Sequence, residues 1–169
     1  MSLLDKKVKE KEVAEFFSNW LNDQLKYDFE ATADPEDQNI DYVLKSKSDS
    51  SKNKYLQLIN CDRQTINVML ETFKSPNTMF DYNLTLDQNI GNAIQQKNKK
   101  YPKEVQKSLT LIVWSNNFLT PRINEDYLKR QTNDICNQTD FKDIFYIALP
   151  DNEEKNSALK NNGQIIPLK

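Results

Sequence analysis

Histidine is absent from the 169 residues, and glycine and cysteine occur only twice each, as Gly91 and Gly163 and as Cys61 and Cys136. Without histidine there is no Ser-His-Asp or Cys-His catalytic pair and no His-containing zinc site, and two cysteines far apart cannot build a tetrathiolate site. Two isolated glycines exclude a P-loop and a GxGxxG turn, so no nucleotide cofactor is expected. No window approaches the roughly 20 apolar residues of a membrane span. The opening MSLLDKKVKEKEVAEFF has no stretch long enough for a signal peptide. Together with the sparse cysteines, which suit a reducing compartment, this sets the expectation of no membrane association and a cytoplasmic location. Charge of one sign is also lacking: 23 basic residues face 25 acidic ones, a net −2, so any contact with nucleic acid must be local. What is left is carboxylate-and-lysine chemistry with a hard metal ion, or binding without chemistry.

What is present argues for a folded chain. Eight Phe, 7 Tyr and 2 Trp are too many aromatics for wholesale disorder despite the polar average. The length corresponds to a single domain over 1–169, with a core at about 4–150 and a segment 151–169 that is loose or adds an edge strand. Between Leu4 and Leu25, Val13, Phe16, Phe17, Trp20 and Leu21 form one stripe of an amphipathic helix. Strands are expected at Tyr27–Ala31, Ile40–Leu44 and Tyr55–Ile59, with a polar loop at 34–39 and a mobile hairpin connection at 45–54. Segment 62–84 fits helix and strand periods equally. Thr85 reads as the N-cap of a helix running to Lys100, with Leu86, Ile90, Ala93, Ile94 and Lys97 on one face and Tyr101-Pro102 as its stop. Ser108–Trp114 and Ile144–Leu149 read as buried strands around a helix at 124–136, and Gln164–Ile166 as an edge strand. Early antiparallel strands followed by alternating helix and strand imply an α/β protein, a three-layer sandwich with a mixed central sheet.

That order, with Glu15 in the first helix, Asp41 in Ile-Asp-Tyr-Val-Leu and Gln57 in Tyr-Leu-Gln-Leu-Ile, resembles the core of the PD-(D/E)xK nuclease superfamily, the restriction-endonuclease-like fold, over roughly residues 4–114. The resemblance implies Mg²⁺ at Asp41 and at the acidic position of the next strand, with a lysine two residues on that helps to activate water. Here Gln57 stands at the acidic position and Ile59 at the lysine position, so the motif is degenerate. Relocation of the lysine to the following helix, as in some members of the superfamily, makes Lys97 the candidate.

Two functions follow as expectations. One is a degenerate or weakly active Mg²⁺-dependent phosphodiesterase acting on nucleic acid, with Asp41 and Gln57 at the metal, Glu15 in support, Lys97 orienting water, and Lys97, Lys99 and Lys100 on phosphate. The other is a non-catalytic module on the same fold that binds nucleic acid, a partner protein or a second copy of the chain. Bland alternatives stand beside both: a solvated Glu15, a turn at Asp41, a structural hydrogen bond at Gln57, a lysine run that complements a helix dipole, or an unrelated α/β domain.

Overall fold

The computed structural model describes residues 3–33, 39–62, 82–116, 123–149 and 163–169. Its elements are α1 (Leu3–Leu25), β1 (Phe29–Ala33), β2 (Tyr42–Ser46), β3 (Lys54–Asn60), α2 (Tyr82–Lys100), a one-turn α3 (Lys103–Gln106), β4 (Leu109–Asn116), α4 (Glu125–Asn137), β5 (Asp143–Leu149) and β6 (Gln164–Pro167). The six strands form one mixed sheet in sequence order. The pairs β1/β2, β2/β3 and β5/β6 are antiparallel, whereas β3/β4 and β4/β5 are parallel. Parallel neighbours need a crossover, and α2 and α4 lie in the two crossovers.

Helices cover both faces. On one side Val13, Ala14, Phe17 and Leu21 of α1 pack on Leu44, Leu56, Leu58, Ile112, Trp114 and Ile147. On the other, Ile90 and Ile94 of α2 and Leu128 and Cys136 of α4 pack on Leu111, Val113, Ile144 and Tyr146. β4 is apolar on both faces because it is covered on both, and Leu109 through Ser115 are all buried. Burying each Ile, Leu or Val of such a strand contributes about 1.5–3 kcal/mol, so this strand anchors both layers. In α1 the buried stripe holds Phe17 against Phe145, with ring centroids 4.8 Å apart. Trp20, expected in the core, is half-buried at its rim. Asn22 fastens the end of α1 to the sheet, donating to Phe29 O at 3.0 Å and accepting from Phe29 N at 2.8 Å.

Three local expectations are revised. The 45–54 connection is a hydrogen-bonded turn: Asp49 Oδ1 accepts from Ser51 N at 3.0 Å, and Asn53 Oδ1 accepts from Ser46 N at 3.0 Å. Short polar side chains that look like a loose loop are the ones that satisfy the backbone of a tight one. Helix α2 starts at Tyr82, so Thr85 lies inside it and is no N-cap; helix ends read from one capping residue shift readily by a turn. β1 is displaced to Phe29–Ala33. Nearly all of the ambiguous segment 62–84, and residues 151–162, fall outside the described residues. No helix among the described residues is long and apolar enough to cross a membrane.

Candidate functional site

The register of the first strands puts Asp41 beside Gln57. Tyr42 pairs with Leu56, and the Asp41 amide donates to Leu56 O at 2.9 Å, so the next pair along is Asp41 opposite Gln57. Leu56 and Leu58 point toward α1, and alternation along the strand turns Gln57 to the α2 face. There Gln57 is buried, at 2% exposure.

The end of α2 closes over it. The Tyr101 hydroxyl donates to Gln57 Oε1, and Gln57 Nε2 donates to Asp41 Oδ2. The same Asp41 oxygen accepts from the Leu58 amide at 2.7 Å. An ionised carboxylate can only accept hydrogen bonds, so the amide must turn its NH₂ toward Asp41 and its carbonyl toward the phenol. Tyr101 is itself held by Gln106, which is 1% exposed and donates to Tyr101 O at 2.8 Å and to Asn98 Oδ1 at 3.0 Å, while accepting from Asp140 N at 2.9 Å.

Charged groups surround this relay. Lys97, one turn before Tyr101 on α2, places Nζ 5.8 Å from the centre of the tyrosine ring, and Lys100 places its own at 4.8 Å. Burial pulls the Lys97 ammonium down to about 8; attraction to Asp41 opposes this, and the nearby Lys100 and Lys6 add to it. From α1, Glu10 lies within electrostatic range of both Asp41 and Lys97, and its Oε1 is 3.4 Å from Lys6 Nζ. Burial raises the Glu10 carboxyl above its usual range, only partly offset by Lys6. The phenol of Tyr42 is raised as well, first by burial and then by Glu10 and Asp41.

Of the residues singled out in the sequence, Asp41, Gln57 and Lys97 therefore come together. Glu15 does not join them: it is exposed and ion-paired with Lys11 at 3.6 Å. The acid that α1 contributes is Glu10. Its signal was in the helix phase, because Glu10 continues the stripe of Val13, Ala14 and Phe17 at i, i+3, i+4 and i+7, whereas Glu15 falls off it. Among the described residues, Lys99 is exposed and makes no side-chain contact with this group. Tyr101, read only as a helix stop, was the other omission; as i+4 from Lys97 it falls on the face shared by Ile90, Ala93 and Ile94.

The donor set does not suit a resident Mg²⁺. The Gln57 carbonyl, expected as the second ligand, faces Tyr101 instead, and one Asp41 oxygen already accepts two hydrogen bonds. A lysine ammonium adds positive charge where a hard cation needs oxygen donors. Among the described residues no group of three or more His, Cys, Asp or Glu side chains could hold a metal ion. No family model, curated protein or solved structure matches the chain.

Proposed function

We propose that the chain is a catalytically silent relative of the PD-(D/E)xK nucleases that binds the phosphate backbone of nucleic acid. The relationship is supported by the element order and the mixed sheet, and by an Asp before β2 that stands next to the β3 position where the superfamily carries its second acid. The observation that carries the silent reading is the amide between Asp41 and Tyr101. It uses, as a closed hydrogen-bond relay, the two positions that would ligate a metal. A carboxylate at position 57 would repel Asp41 and call for a cation between them; the amide needs none.

Binding is supported by the lysines that remain. Lys6 of α1 and Lys100 of α2, from opposite sides of the sheet, both lie close enough to Lys97 to repel it. Against the carboxylates of Glu10 and Asp41, these three ammonium groups leave a local excess of positive charge on a chain with a net charge of −2. Such a spot takes phosphate oxygens by charge alone, without reading sequence.

Fluorescence anisotropy with labelled single-stranded DNA, duplex DNA and RNA tests this. Two phosphate contacts, from Lys6 and Lys100, predict that binding weakens about twelve-fold between 50 and 200 mM salt. The expected result in Mg²⁺ or Mn²⁺ is binding without cleavage. Cleavage that disappears in Asp41→Ala would restore the active-nuclease reading, and no binding at low salt would leave a protein partner or a second copy of the chain.

A further inference from the structure

We propose that the Lys97 ammonium is the built-in counter-cation of the Asp41 carboxylate, and that Lys97 and Gln57 together keep divalent ions out of this site. The inference rests on the nuclease-like reading only for the comparison with a metal-bearing ancestor; its argument is local. Two carboxylates, Glu10 from α1 and Asp41 from just before β2, lie within electrostatic range of each other. Glu10 is ion-paired with Lys6 at 3.4 Å, which leaves Lys97 as the cation whose main opposite charge is Asp41. It is held there by packing: its helix buries Ile90, Ala93 and Ile94 on the same face, and its Nζ lies over the ring of the tyrosine that clamps Gln57. Gln57 removes the third negative charge and binds one Asp41 oxygen, while Lys97 supplies the positive charge that remains to be supplied. A metal ion would have to displace the amide from Asp41 and sit beside a half-buried ammonium group.

Two substitutions therefore separate the present site from a divalent-ion site. Converting Gln57 to Glu adds a third carboxylate, and converting Lys97 to Met removes the competing charge at similar volume. The test is titration with MnCl₂, reading free Mn²⁺ by electron paramagnetic resonance, on the wild type, Lys97→Met, Gln57→Glu/Lys97→Met and Lys97→Arg, with circular dichroism to check the fold. The wild type and Lys97→Arg are expected to leave the Mn²⁺ signal unchanged at millimolar concentration. Lys97→Met is expected to bind weakly, and the double variant at least tenfold more tightly than the wild type. Equal affinity of wild type and double variant, or a Lys97→Arg that binds like Lys97→Met, overturns the proposal. Should the double variant misfold, the comparison of Lys97→Met with Lys97→Arg decides alone.

Anisotropy of the wild type in EDTA separates the two conclusions. Salt-dependent nucleic-acid binding with no Mn²⁺ gain in the variants would sink the counter-cation alone. A Mn²⁺ gain with no nucleic-acid binding would sink the functional reading alone.

Discussion

Replacing Lys97 with methionine should make the protein more stable at neutral pH and leave it nearly unchanged in strong alkali. The ammonium sits where burial outweighs the attraction of Asp41, which pulls its pKa from 10.5 to about 8. At roughly 1.4 kcal/mol per pH unit, that displacement corresponds to about 3 kcal/mol of penalty on the charged form. The side chain is only partly buried, so solvent screening brings the expected figure to about 1–2 kcal/mol. Below pH 8 Lys97 is protonated in both the folded and the unfolded chain, and the wild type bears the full penalty. Between pH 8 and 10.5 the folded protein has lost this proton while the unfolded chain keeps it, so the stability of the wild type rises with pH. Above 10.5 both states are neutral and the penalty is gone. Urea denaturation of wild type and Lys97→Met in parallel from pH 6.5 to 10.5 measures the difference, and taking the difference cancels the titration of the other lysines and tyrosines. The variant should lead by about 1–2 kcal/mol at pH 6.5 and by a few tenths or less at pH 10.5. A gap that does not change with pH would refute the reasoning, as would a variant that is less stable at pH 6.5 than at pH 10.5 relative to wild type.

Other perturbations probe the frame around the site. Gln106→Ala should cost about 2–3 kcal/mol, measured by urea denaturation, because it strips a buried side chain that ties the end of α2 to the loop before β5. Lys26 follows α1 with φ at 57°, a left-handed residue with a Cβ, so Lys26→Gly should raise the stability by about 0.5–1 kcal/mol, read as a higher melting temperature. Cys61 and Cys136 are both buried, and burial lifts the Cys136 thiol to about 11. Ellman's reagent should therefore titrate neither thiol in the folded protein at pH 8 and both in urea; fast reaction without denaturant would show that the core on the α2 and α4 side of the sheet is open.

Much of the sheet was legible because its strands are extreme. Ile144–Leu149 is an unbroken apolar run and Ser108–Trp114 is interrupted only by Thr110 after its first serine, the pattern of strands covered on both faces, and both appear at almost those bounds. The partnership of Asp41 and Gln57 was legible for a similar reason: a polar residue amid Leu56, Leu58 and Ile59 must meet a partner, and the neighbouring strand supplies it. Three features were not legible. Glu10 was passed over because a carboxylate on a helix reads as solvated until its phase is compared with that of the buried stripe. The orientation of the Gln57 amide follows from Tyr101, which is 44 residues away in the chain. The order in the 45–54 turn comes from side chains that bond to backbone groups, which composition alone does not distinguish from looseness.

The central claim is that Asp41 is occupied by hydrogen bonds from its own chain and not by a metal ion. The Leu58 amide reports on this directly, since its N–H points at Asp41 Oδ2 from 2.7 Å. An amide proton bonded to a carboxylate should resonate downfield in a ¹⁵N-correlated NMR spectrum, and substitution of Asp41 by Ala should move it upfield. On addition of one equivalent of Mn²⁺ the Leu58 signal of the wild type should stay sharp. Its selective disappearance at that concentration would place a paramagnetic ion beside Asp41 and contradict the account.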